Sequence, residues 1–446
     1  MAPFKVRING KWLELSEAFL QRHPGGAVIE NCRDCDATGA FHAFHQGSKR
    51  AYRWLDSLSR ESGLVEAPSS FLKRKESNAM ANVGQFDLSE EKKERIQKNF
   101  ELLKAEVARE GYLKKNESYY RWKMAENFGL LALSVLLQYC GYYTVSAIVL
   151  ALTWQQFGWL AHEFAHHQPF ADRSTNDMWG VILGSLCQGY NAAWWKEKHN
   201  THHAAPNVVG KDHDIELLPF LALVPSDLRA FKTDNKLMGY ILRLIPYQHF
   251  YFTLFLPLIR PSWLVQSIEF AATAPFKPYQ AYRDSASGNI VALTLHWTLV
   301  ALQLWCLPDN TVRLQYFFLS QMLAGFLVAH VVTYNHGSVD KFPIHSSIID
   351  NFACLQLLTT RNMNPSPVVD WLWGGLNYQI EHHLFPTLPR PNLSKVRPMV
   401  QRFAKDNNLP YMTDGYFYGY WLNLEQLRNI ALLATSQIKN KIFWSE

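Results

Sequence analysis

The chain's 446 residues carry 44 Lys and Arg against 38 Asp and Glu, a net charge of +6, with 48% hydrophobic and 14% aromatic residues. That length allows two or three domains. The modest basic surplus has no dense Lys or Arg block, which argues against a nucleic-acid partner and suits an anionic membrane surface.

Residues 1–65 read as a small soluble domain, its short apolar runs broken by charge. The start has no apolar leader, and the one CxxC pair, Cys32 and Cys35, lacks the second pair that a tetrahedral zinc site requires. Free thiols without a signal peptide place this part in the cytosol. Residues 66–88 are polar and read as a linker. From Glu90 to Glu110 the period turns helical: Ile96, Phe100, Leu103 and Val107 share a face, Asp87 is placed to cap the start, and Gly111 to stop it. This helix is too charged to cross a bilayer and is expected to lie against the membrane or the domain that follows. The chain thus divides into 1–65, a connecting 66–120 and a large 121–446.

From Asn127 to Ala161 there is no charged residue and no histidine. One helix of that length would measure roughly 50 Å, well beyond the roughly 30 Å hydrocarbon core. Two spans are therefore expected, 122–141 and 144–163, turning near Cys140-Gly141. A second pair, 289–307 and 314–333, is separated by Pro308-Asp309-Asn310. Between the pairs, Leu237–Arg260 and Trp263–Phe276 are interrupted by Arg243, Arg260, Glu269 and prolines, which suits interfacial or buried helices. Two hairpins return the chain to its starting side, so both ends face one compartment. The expected fold is mostly α: a small N-terminal domain, then four transmembrane helices under a histidine-rich cap.

The histidines fall in three clusters. His162-Glu-Phe-Ala-His166-His167 follows the second span, His199-Asn-Thr-His202-His203 lies in the loop beyond, and Gln379-Ile-Glu-His382-His383 follows the fourth. Residues three and four apart share a helix face, and imidazole suits iron, copper, nickel or zinc. Eight histidines exceed the needs of one tetrahedral zinc, so two ions are expected. A single HxxHH is a weak signal; three on one side of a membrane are not. His249 and His296 read as satisfied polar groups. His162-Glu163 could open the HExxH of a zinc hydrolase, with the second histidine at i+4, but that leaves the other clusters unexplained.

HEFAHH, HNTHH and QIEHH resemble the three histidine boxes of membrane fatty acid desaturases. The resemblance extends through WQQFGWLAHEFAHH, WWKEKHNTHHAAPN and DWLWGGLNYQIEHHLFPTLPR to nearly the whole chain, and is strongest to animal, especially nematode, delta-5 and delta-6 enzymes. It implies a di-iron centre at a multi-pass endoplasmic reticulum membrane, with both termini and the boxes cytosolic. The implied ligands are His162, His166, His167, His199, His202, His203, His382 and His383. Gln379 stands where other desaturases have a further histidine and marks the front-end subclass; an amide is the weaker ligand, so its contact is weak or water-mediated. The resemblance also implies a histidine from the end of the fourth span, His336 or else His330, with Asn335 beside it. A buried hydrogen-bonding role is the alternative for all three.

His23-Pro-Gly-Gly26, Asp36-Ala-Thr38 and Phe41-His-Ala-Phe-His45 resemble the α+β cytochrome b5 fold, which implies haem b clamped between two histidines. His23 is the first ligand and His45 the second, with His42 as fallback. The implied reaction takes a fatty acyl substrate, C18 or C20 and polyunsaturated, with O2 and membrane lipid as surroundings. Its electrons arrive through the haem from a separate NADH-dependent cytochrome b5 reductase, because the chain has no Gly-rich dinucleotide motif. The same di-iron site could instead hydroxylate or act on a sphingoid base. A reading of another class is a membrane-anchored electron carrier. The choices of delta-5 or delta-6, and of coenzyme A or phospholipid carrier, stay open.

Overall fold

A computed structural model describes residues 3–61, 65–72, 89–232, 235–344 and 346–443. Near the N-terminus, Phe4–Ile8 and Lys11–Leu15 pair antiparallel through a turn at Asn9-Gly10, both with positive φ. Their alternation buries Phe4, Val6, Leu13 and Leu15 against Leu20 and Ala37, the period-2 pattern of a half-buried sheet. Helices Glu17–Arg22, Thr38–His45 and Lys49–Glu61 complete this unit.

The Asp87 cap and residues 73–88 of the linker lie outside the described residues. Helix Glu90–Arg109 is capped by Ser89, whose hydroxyl accepts from the Lys92 amide, and Gly111 follows its end at φ +74°. Its apolar face is buried with Ala353, Leu357, Val400 and Phe403. The helix therefore lies on the C-terminal part of the chain.

Four of the long helices among the described residues pair as two hairpins, Glu117–Tyr139 with Tyr143–Ala165 and Gln280–Trp305 with Asn310–His336, and a fifth, Tyr416–Phe443, lies near the C-terminus. The first turns at Gly141, where φ is +84°. The third helix starts at Gln280, ahead of the expected 289. Four spans were expected, but among the described residues two helices, Gln280–Trp305 and Asn310–His336, are long and apolar enough to cross a membrane. The physical reason is clearest in Tyr143–Ala165, which is buried along most of its length and uses polar side chains to grip its neighbours. The Gln155 amide donates to Leu327 O (2.8 Å) and the Gln156 amide to Trp371 O (3.2 Å), interhelical bonds of the kind that hold membrane bundles together. Between the hairpins, Lys236–Leu242, Gln248–Phe255 and Ile259–Thr273 are each too short to span. Arg260 is buried there, donating to Gln188 (2.7 Å) and Gln321 (2.9 Å).

The N-terminal unit is packed onto the helical body. The Ala27 amide donates to Tyr282 Oη (2.7 Å), the Asp36 amide to Asp350 Oδ1 (3.0 Å), and Lys211 to Asn31 O. Gly26 sits against the Tyr282 ring at φ +60°, and any Cβ there would overlap it.

Phe100 is fully buried and ringed by Phe352, Phe385 and Phe403. Phe100→Ala is expected to destabilise the protein by about 3–5 kcal/mol, read as a lowered Tm in detergent. An unchanged Tm would mean that helix Glu90–Arg109 does not anchor the body beneath it.

Candidate metal centre

Each histidine is delivered by a helix end. His162 lies in the last turn of Tyr143–Ala165, and His166 is its C-cap. His199, His202 and His203 share helix Ala192–Ala204, whose N-cap Asn191 accepts from the Ala193 and Trp194 amides. The second box is thus helical, where a loop was expected. Helix Gln379–Leu384 carries His382 and His383, and His336 is the last residue of Asn310–His336.

These ends meet in two adjoining groups. His162, His166, His199, His203 and His382 form the first, and His202, His336 and His383 the second, with the ligand atoms of each group within 4.8 Å of one another. The Nε2 atoms of His199 and His203 are 3.0 Å apart, those of His203 and His382 3.1 Å, and those of His202 and His336 3.3 Å. Two nitrogens each about 2.1 Å from one ion lie about 3 Å apart, so this spacing fits a shared ion. The His203 ring stacks on His383 at 4.1 Å and joins the groups.

Nε2 of His162, His166 and His383 is buried without a hydrogen-bond partner. Such a nitrogen is costly unless something binds it. Burial, then the neighbouring rings, pull the pKa values of His166, His199 and His203 well down, and that of His382 to about 3. This favours the neutral ring, the form that binds metal.

The second group is aimed from behind. Nδ1 of His202 donates to Asp212, of His336 to Thr359 O and of His383 to Gln356 Oε1, each at 2.8 Å. With Nδ1 so occupied, Nε2 turns to the centre. Burial disfavours the His202 cation, but the Asp212 charge outweighs it and raises the pKa. Nothing in the sequence spacing points to Asp212, Gln356 or Thr359.

Gln379 lies at the rim of the second group, its amide 3.1 Å from His336 Nε2 and bonded by Asn335 (3.1 Å). His167 joins neither group. The helix ends at His166, and a left-handed step at His167 (φ +55°) swings its ring to Asp177 (2.9 Å) and Arg173 (3.0 Å), away from both groups. His330 is also left out: six residues before His336 it lies roughly 240° round the helix, and it packs on Phe326 and Trp373. Glu163 is gripped by Arg390 through both carboxylate oxygens, so the HExxH reading has no free base.

A second constellation lies in the N-terminal unit. The His23 and His45 rings lie with centroids 6.1 Å apart and their planes inclined at 70°. Bonds of about 2 Å on opposite faces of one ion would set two imidazoles roughly 6 Å apart. They flank a cavity of about 620 Å³ lined by Leu13, Phe19, Val28, Phe41, Trp54 and Leu58, which continues to His166, Arg173 and Lys196. Burial lowers the pKa of His23 to about 3 and of His45 to about 4, and His23 Nδ1 has no partner. His45 Nδ1 donates to Phe41 O (2.9 Å), freeing Nε2. His42 turns outward to Tyr52 and Asn9, both at 2.9 Å.

Comparison with known proteins adds a family. Residues 141–415 match the fatty acid desaturase family model. The chain is 47% identical to a delta-6 fatty acid desaturase of Caenorhabditis elegans over 427 residues, covering 96% of each. It is 46% identical to a delta-5 fatty acid desaturase of the same organism, covering 98% of this chain and 97% of that one. A delta-8 fatty acid desaturase of Euglena gracilis is 34% identical over 94% of each chain.

Asp212→Asn removes the charge that orients His202. It is expected to weaken one of two ion sites by about 10–100-fold while leaving the other unchanged, as read by the visible absorption of a Co(II) titration. Equal weakening of both sites, or of neither, would refute the assignment of Asp212 to the second group.

Proposed function

The chain belongs to the fatty acid desaturase family, and we infer that it inserts a double bond into a polyunsaturated acyl chain on the carboxyl side of an existing one, at delta-5 or delta-6. Near-equal identity to a delta-6 and a delta-5 enzyme over almost the full length supports this reading, as does Gln379 at the third box. The observation that carries it is the pair of histidine groups with buried, unpartnered Nε2 atoms.

Two non-haem irons fit that donor set. His162, His166, His199, His203 and His382 would hold one, and His202, His336 and His383 the other, with Gln379 at its rim. Bound there, they supply the O2 activation that no side chain can provide. Dehydrogenation takes two electrons and two protons from the acyl chain. O2 accepts these with two further electrons and two protons to become two waters. The further electrons must come from outside the substrate, and the His23–His45 cavity suits haem b, a one-electron carrier when bound between two histidines. A separate NADH-dependent cytochrome b5 reductase is the implied source.

Residues 1–65 are then a cytochrome b5-like domain, 66–120 its connection, and 121–446 the desaturase domain. Gln280–Trp305 and Asn310–His336 are the hairpin apolar enough to cross the endoplasmic reticulum membrane, and Glu117–Tyr139 with Tyr143–Ala165 form the hairpin packed beside it. His162, His166 and His336 all lie at C-terminal ends of the second or fourth helix. Two hairpins place those ends on one side, which supports a cytosolic centre with both termini. The buried Glu163–Arg390 pair and the bonds from Asn362 (2.8 Å) and Tyr411 (2.6 Å) to Glu381 fix the first and third boxes from behind. A mere electron carrier leaves these groups without a use.

Yeast expressing the protein and fed linoleic and dihomo-gamma-linolenic acids should yield products whose new double bond lies on the carboxyl side. New bonds found only on the methyl side would refute the front-end assignment. His203→Ala should lower activity to background with the haem spectrum intact, whereas His167→Ala should keep its iron. Iron loss in His167→Ala would return His167 to the ligand set. His23→Ala should lose both the low-spin haem spectrum and the activity; a normal spectrum would overturn that ligand.

A further inference from the structure

Resting on the haem and di-iron assignments above, we propose that Arg173 is a positioning residue that holds the haem-ligand helix Thr38–His45 against the histidine groups for electron transfer. Arg173 opens helix Arg173–Val181, whose N-cap Asp172 accepts from the Thr175 amide (2.7 Å), so its backbone is fixed. Its Nη2 donates to the carbonyls on both sides of His45, those of Phe44 (3.0 Å) and Gln46 (3.4 Å). Its Nη1 donates to Nδ1 of His167 (3.0 Å), the residue that follows His166. One guanidinium thus spans from the haem ligand to the residue beside a proposed iron ligand.

The carbonyls it binds belong to the end of a helix, where no intrahelical donor remains and the dipole is negative. A cation is suited to that place, and the rigid planar fork of arginine, with five N–H donors, can bind the three acceptors at once. The contact is buttressed: Lys115 donates to His167 O (2.8 Å) and Thr387 O (3.2 Å), and the Thr387 hydroxyl donates to Gln46 Oε1 (3.3 Å).

What this clamp positions is Phe44. Its ring lines the cavity between His23 and His45 and meets His203 edge-on, centroids 6.4 Å apart. Phe44 therefore touches both the cavity between His23 and His45 and the first histidine group. Each transfer would oxidise the haem by one electron and reduce the ions held by the histidine groups by one. Two transfers complete the four electrons that O2 takes, and the reductase restores the haem each time. Electron tunnelling falls steeply with separation, so a loosened helix slows transfer without disturbing either centre. This also gives His167 a task as the acceptor that seats Arg173.

The test uses the full-length protein in lipid nanodiscs, loaded with haem and iron, comparing wild type, Arg173→Ala and Arg173→Lys. Arg173→Ala should keep its bis-histidine haem spectrum and its iron content. Hydrogen exchange of amides 38–47 should rise, while that of the Phe4–Ile8 and Lys11–Leu15 hairpin stays the same. After anaerobic reduction, haem reoxidation on mixing with O2 and whichever of linoleoyl-CoA or linoleoyl-phosphatidylcholine the wild type turns over should slow by roughly tenfold or more. Haem reduction by cytochrome b5 reductase should be unchanged, and Arg173→Lys should recover part of the loss. Unchanged reoxidation, unchanged exchange, or loss of haem from Arg173→Ala would each overturn the proposal. Wild type without a bis-histidine spectrum would instead remove the haem assignment on which it rests.

Discussion

A buried imidazole nitrogen needs a partner, and at the meeting point of four helix ends this protein gathers eight rings, of which six are buried and three have no partner for Nε2. Packing alone gives no reason for so many polar rings in one place. Nε2 atoms within each group approach to the separation that shared ions would impose, and burial disfavours the charged form of most of the rings. The surrounding structure serves that convergence. Long helices bring His162, His166 and His336 from one side, and short helices bring the other five from sequence positions far away.

The acidic residues inside the boxes have a different use from the histidines around them. Glu163 is gripped by Arg390, and Glu381 accepts from Asn362 and Tyr411. Buried charges like these add little net stability compared with apolar packing. They do fix rotation and register, and a ligand ring misplaced by an ångström no longer meets its ion. The same economy explains the polar face of Tyr143–Ala165. Gln155 and Gln156 are accommodated there because the helix is buried along most of its length and their amides bond to neighbouring backbone.

Fusion of the haem-type unit to the helical body would by itself raise its effective concentration. The interface goes further, because Tyr282, Asp350, Lys211 and Arg173 bind backbone groups of the N-terminal unit at four separate places. Its seating is specific in orientation as well as proximity. The shared cavity, walled on one side by Phe41 and Trp54 and on the other by His166 and Arg173, is a consequence of that seating.

Sequence alone determined whatever depends on local spacing. The three boxes, the paired long helices with their turn at Gly141, and the apolar face of Ile96, Phe100, Leu103 and Val107 all follow from helical periods, turn residues and motif spacing within a few dozen positions. Tertiary structure decided whatever depends on how a helix ends and how it is rotated against its neighbours. His167 sits next to a cluster member in sequence, yet one left-handed residue turns it to Arg173. His336 joins the centre and His330 does not, because they lie on different faces of one helix. Asp212, Gln356 and Thr359 orient the second group from segments that no periodicity links to the boxes. The division of eight histidines into five and three was equally illegible in the sequence, since it arises from contacts between residues as far apart as His162 and His382.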